Sequence, residues 1–79
     1  MQFYDIGSTV KAYRKSNNLT QQELAQKVGI TRQTLSKLEQ GEIAKISLGV
    51  FVKILDALNL ELEIGEKKPF YYFDVNEIK

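Results

Sequence analysis

The chain contains no cysteine and no histidine. Without cysteine, neither a disulfide nor a thiolate metal site can brace a small core. Without histidine, the commonest general base and metal ligand is missing. No apolar run reaches the roughly 20 residues needed to cross a bilayer. The opening MQFYDIGS lacks the basic and apolar regions of a secretory leader. No repeat or low-complexity segment breaks the sequence. The 79 residues suffice for one compact domain and are too few for two. These absences predict a cytoplasmic protein with no metal, cofactor, small-molecule ligand or membrane partner, stabilised further by oligomerisation.

The net charge of +1 conceals an asymmetry. Residues 1–41 hold six Lys/Arg against three Asp/Glu, and residues 42–79 hold five against seven. The first part is therefore net +3 and the second net −2, which offers an anionic partner one side of the molecule. A mixed, solvated surface is the competing explanation.

Ile6, Val10 and Tyr13 recur at helical spacing, predicting a first helix over about residues 6–16, with Asn17-Asn18 as its stop. Thr20-x-x-Glu23 is a capping box that opens a second helix. Leu24, Ala25 and Val28 form its apolar face. Gly29 follows where a left-handed C-cap is needed. Thr31 caps a third helix, 31–40, whose Leu35 and Leu38 face inward and which Gly41 ends. Ser47 opens a fourth helix with Val50, Phe51, Ile54, Leu55 and Leu58 on one stripe. The period then changes. Leu60, Leu62 and Ile64 alternate with Glu61 and Glu63, predicting a half-buried strand. Gly65 to Pro69 reads as a turn, and residues 70–75 as a second strand candidate.

Two helices joined by a tight glycine turn have a definite use, because the first can hold the second against a large surface. With the apolar residues turned inward, Arg32, Gln33, Ser36 and Lys37 are left outward on the third helix. They are donors and acceptors of the kind that read base edges: Arg or Lys to guanine, Gln to adenine. The stretch LTQQELAQKVGITRQTLSKLEQG, within residues 6–58, resembles the helix-turn-helix domains of phage repressors, Cro proteins and Xre-type bacterial regulators. The resemblance implies a mainly α bundle of four to five helices with the third in the major groove. It assigns base contacts to Arg32, Gln33 and Lys37, with Thr34 and Ser36 at the groove edge. Gln21 matches a phosphate contact, as do Thr31 and Gln40 more weakly. Arg14 and Glu39 match a partly buried ion pair that joins the first and third helices.

The passage from LGVFVKILDALNL into LELEI is similar to HipB-like antitoxins, the partners of HipA-type kinase toxins. That likeness divides the chain into a DNA-binding domain, 1–59, and a C-terminal strand and aromatic tail, 60–79. It implies a β-strand extension paired with its twofold mate in a homodimer. Phe51, Leu55, Leu58, Leu60, Leu62 and Ile64 would line that interface. A hairpin of 60–64 with 70–75 inside one chain is the alternative. Phe70, Tyr71, Tyr72 and Phe73 hold four of the eight aromatics and are candidates for docking a partner, packing on the dimer being the other use. The expected function is a dimeric repressor of a palindromic double-stranded operator, acting as the autoregulating antitoxin of a HipA-like kinase toxin. A toxin-neutralising module with little DNA-binding role and a stand-alone Cro-type repressor are the alternatives. No enzymatic activity is expected.

Overall fold

The computed structural model describes residues 3–66, with side chains from Asp5 onward. Its four helices are α1 (Phe3–Ser16), α2 (Gln21–Val28), α3 (Arg32–Glu39) and α4 (Leu48–Ala57). Both α1 and α4 pack on the central helix pair, α1 against α3 and α4 against α2. Val10, Leu24, Ala25, Val28, Leu35, Leu38, Ile54 and Leu58 form the core.

The sequence marks the helix boundaries chemically. Thr20 is the extended N-cap of α2: its Oγ1 accepts from the Glu23 backbone N–H at 3.1 Å, and its own N–H donates to Glu23 Oε1 at 2.9 Å. Thr31 and Ser47 cap α3 and α4 by one bond each, accepting from the Thr34 and Val50 backbone N–H groups. Gly29 ends α2 at φ 79°, ψ 31°, with its N–H directed at the last carbonyls of the helix. A Cβ there would touch nothing within 4 Å, so the turn needs glycine for its left-handed backbone and not for space.

Gly7 is a glycine of the opposite kind. It lies inside α1, and an added Cβ would sit 2.4 Å from the Leu38 carbonyl oxygen and 2.7 Å from that of Glu39. The missing side chain lets α1 lie directly on the end of α3.

The structure corrects several expectations. α1 begins at Phe3, three residues earlier than predicted. Its inward stripe is Gly7, Val10 and Arg14, whereas Tyr13 is 45% exposed. The helix is rotated from the purely apolar reading because Arg14 is neutralised inside the protein and can take the buried position. Thr31 caps α3 as expected, while Gln40, expected as its last residue, is the C-cap.

Residues 60–64 do not form a strand, and the described residues contain none. Leu60 is tied to α4 by its N–H, which donates to the Leu55 carbonyl, and it packs on the core. Beyond it, Leu62 is 46% and Ile64 94% exposed. An extended segment becomes a strand only when a neighbour completes its ladder, and no described segment pairs with it in that way. Leu58, expected at a dimer interface, is 2% exposed and belongs to the chain's own core. The second strand candidate, 70–75, and the aromatics Phe70, Tyr71, Tyr72 and Phe73 lie outside the described residues.

Two outcomes follow from this packing. Gly7→Ala should lower unfolding stability by about 1–3 kcal/mol, since backbone must move to admit the methyl. Gly49→Ala, at an α4 position with only Ser47 Oγ within 4.0 Å, should gain about 0.5–1 kcal/mol. Urea titration of both variants checks the pair, and equal effects would contradict the close α1–α3 approach.

The capping box predicts a pH effect. The Glu23 carboxyl is held below its ordinary 4.5, chiefly by the Thr20 backbone N–H and then by the Thr20 side chain. A carboxyl lowered on folding stabilises the fold above its unfolded pKa, and this contribution disappears as pH falls through the folded value. Urea midpoints of the wild type should therefore drop more between pH 6 and pH 3 than those of Glu23→Gln.

Candidate nucleic-acid interface

The polar centre of the molecule is the Glu39 carboxylate at the end of α3. Arg14 donates to it twice, Nε to Oε2 at 2.7 Å and Nη2 to Oε1 at 3.1 Å. Residues Arg14 and Glu39 are 7% and 6% exposed. The remaining Arg14 nitrogen, Nη1, donates to the Leu19 carbonyl at 2.7 Å, while the Leu19 N–H returns a bond to the Arg14 carbonyl. The pair therefore joins α1 to α3 and secures the α1–α2 connection. A third donor, Gln21 Nε2 at the start of α2, reaches Glu39 Oε1 at 3.0 Å. No buried side-chain nitrogen or oxygen among the described residues lacks a partner, the condition under which a buried ion pair is tolerated.

That centre fixes the attitude of α3, whose outer face carries the expected recognition residues. Arg32, Gln33, Ser36, Lys37 and Gln40 line one shallow polar concavity, with Glu42 at its rim. Their positions fall on a single helical face. Arg32, Gln33, Lys37 and Gln40 are exposed, while Ser36 is half-buried. Gln40 Nε2 donates to Ser36 Oγ at 3.2 Å, and Arg32 Nη1 donates to Gln21 Oε1 at 3.3 Å.

Thr34 is not part of this concavity. It lines an adjacent depression with Lys37, Lys45 and the 41–46 loop, and the Thr31 and Thr34 hydroxyls are 2.9 Å apart at the α3 cap. The expected site thus divides in two: an outward polar face of 32, 33, 36, 37 and 40, and a capping pair of 31 and 34. Gln21, expected at phosphate, is half-buried between Glu39 and Arg32.

Sequence reasoning missed two charged neighbours. Glu42 and Lys45 follow the helix-ending Gly41 and bring one charge of each sign to the edge of the site. Their only signal was nearness in sequence to α3. A second groove, between α1, α4 and the segment after it, is apolar, lined by Ile6, Val10, Tyr13, Phe51, Leu55 and Leu60 with Leu62, together with Asp5 and Glu61.

Polar face and bracing helix together define a helix-turn-helix unit. The helix-turn-helix family matches residues 10–64, and the chain belongs to that family, in its Xre-type branch. It is homologous to the antitoxin HipB of Escherichia coli O6:H1, with 36% identity over 63 residues, 80% of this chain and 66% of that protein. The match therefore spans just under two thirds of that relative's length. An uncharacterised HTH-type transcriptional regulator of Archaeoglobus fulgidus is 35% identical over 69 residues, covering 87% of this chain and 89% of that one. In three dimensions the chain is similar to one in the solved HipA-HipB-O2-O3 complex, with TM-score 0.73 and 32% identity over 86% of this chain and 94% of that one. A chain of the HipB-O4 20mer complex gives TM-score 0.72 at the same identity and coverage. The homologues carry the names of an antitoxin and an HTH-type transcriptional regulator. Among the described residues no helix is long and apolar enough to cross a membrane.

Removing Glu39 should affect the fold before it affects any ligand. Glu39→Ala leaves the buried Arg14 guanidinium uncompensated, a loss on the order of 3–5 kcal/mol. Thermal unfolding followed by circular dichroism should show a large fall in midpoint. An unchanged midpoint would mean that the pair is solvated.

Proposed function

We propose that the chain is a sequence-specific DNA-binding transcriptional repressor that reads a palindromic operator as a homodimer. The observation that carries this reading is the face of α3. Arg32, Gln33, Ser36 and Lys37 lie together outward on a helix that is anchored from behind by Arg14, Glu39 and Gln21. Guanidinium, amide and ammonium donors on one rigid helix match the hydrogen-bonding pattern of a major groove. Arg32, Gln33 and Lys37 read base edges, and Ser36 sits at the groove edge. Thr31, Thr34, Gln40 and the free N–H of Gln21 approach the backbone, and Lys45 adds a cation beside them.

A single chain reads one half-site. The apolar groove of Tyr13, Phe51, Leu55, Leu60 and Leu62, continued by exposed Ile64, is the surface we assign to a second copy. That copy sets the two α3 helices about 34 Å apart on one side of the duplex. The similarity to HipB extends the proposal to an autoregulating, cytoplasmic antitoxin whose other partner is a HipA-type kinase toxin.

The test is a binding titration on the DNA upstream of the protein's own gene, beside random DNA, over a range of salt. Operator reading predicts binding at least about a thousandfold tighter than to random DNA. Equal, strongly salt-dependent binding to both would reduce the interaction to charge attraction. On the operator, Arg32→Ala should cost about 1–3 kcal/mol and relax the choice at one base pair. Equal loss on every sequence would make Arg32 a phosphate contact instead.

A further inference from the structure

Every residue lining the α3 concavity carries a hydrogen-bond donor except Glu42, whose carboxylate can only accept. Its backbone is fixed from behind. The Glu42 N–H donates to the Lys37 carbonyl at 2.9 Å across Gly41, whose φ is 99°. The next residue, Ile43, packs on the core. Glu42 is thus held in the closing turn of α3, while its side chain stands exposed on the rim of the donor face. The ion pair of Arg14 with Glu39 is the only one among the described residues, so the Glu42 carboxylate has no cation of its own there. A carboxylate so placed is unfavourable on a face that meets a polyanion. DNA phosphates, and the N7 and O6 atoms of guanine, only accept and so repel it. In the major groove, the groups that can satisfy it are the exocyclic amines of cytosine and adenine. Adenine sets its N7 acceptor beside the amine, whereas cytosine presents the N4 amine alone.

We propose that Glu42 is a specificity-determining residue: its carboxylate accepts from the N4 amine of one cytosine in each half-site and penalises DNA that lacks it. The inference rests on the reading of α3 as the helix in the major groove. Arg32 and Lys37 attract any duplex, since charge attraction does not depend on base order. Selectivity is a difference between affinities and can be enlarged by weakening the wrong complex. Glu42 acts in that direction. It weakens every complex by repulsion and recovers the loss only where the matching amine stands opposite. This is a different role from a phosphate contact, which fixes register and carries no sequence information.

The test uses the full chain as wild type, Glu42→Ala, Glu42→Gln and Arg32→Ala. Each is selected against a randomised duplex library and titrated on random DNA. Glu42→Ala should flatten a cytosine preference at one base pair per half-site by roughly tenfold, and leave the other positions intact. The same variant should bind random DNA more tightly, on the order of threefold. Glu42→Gln should move the preference at that base pair from cytosine toward adenine, because an amide donates to N7 and accepts from N6. A merely structural role would change all affinities together and exchange no base.

A uniform gain of affinity in Glu42→Ala, with every base preference retained, overturns the proposal and leaves Glu42 as a repulsive charge without sequence information. Unchanged affinity and preference in both Glu42 variants also overturn it, since the carboxylate would then lie in solvent. The failure of the underlying reading looks different. If Arg32→Ala changes no preference either, α3 does not read the groove and both conclusions fall. If Arg32→Ala changes a preference and the Glu42 variants change none, only the present inference falls.

Discussion

Everything the molecule presents to a partner depends on one buried ion pair. Arg14 and Glu39 come from α1 and α3, 25 residues apart in sequence, and bury charge beside a small apolar core. Taking two charges out of water is costly, and their attraction alone does not reliably offset that cost. The pair is stable here because each nitrogen and oxygen of the two charged groups has a partner: two bonds between the ions, one to the Leu19 carbonyl and one from Gln21. The pair adds direction more than raw stability. Apolar side chains of the same volume would hold α1 to α3 but would leave the rotation of α3 about its axis less determined.

Gly7 serves the same end by a different means. The Arg14–Glu39 bonds can close only if α1 approaches the end of α3, and the Leu38 and Glu39 carbonyls leave no room for a methyl at residue 7. Close approach, ion pairing and the glycine turn at residue 29 therefore act together. The turn sets the angle between α2 and α3, α1 fixes the position of α3, and Glu39 fixes its rotation. What remains outward on α3 follows from these three constraints.

Much of this was readable in the sequence, for identifiable reasons. Capping residues announce themselves because their chemistry is local: Thr20, Glu23, Thr31 and Ser47 act within three residues of their own positions. The inward leucines of α2 and α3 were equally clear from helical spacing. Gly7 was not, since a glycine inside a helix gives no sign of what lies against it. The rotation of α1 was missed because apolar periodicity counts Tyr13 and discounts Arg14, although a paired arginine can lie deeper than a tyrosine. The double engagement of Gln21 was also hidden. It depends on two residues 18 and 11 positions away, and amide side chains carry no periodic signal.

The segment after α4 shows a limit of another kind. Its alternation of Leu60, Leu62 and Ile64 with glutamates is strand-like, yet strand structure belongs to a pair of segments and not to one. Among the described residues Leu60 packs on the core, Leu62 only edges the apolar groove, and Ile64 is left exposed. A domain of this size buries a modest share of its surface, so a second copy that covered Leu62, Ile64 and the α1–α4 groove would add stability where a monomer is weakest. On the proposed dimer, the apolar contact would lie on one side of the molecule and the donor face of α3 on another. Stability and operator geometry would then be coupled: the contact that completes the fold also sets the spacing of the two reading helices. A chain that lost its partner would lose both together.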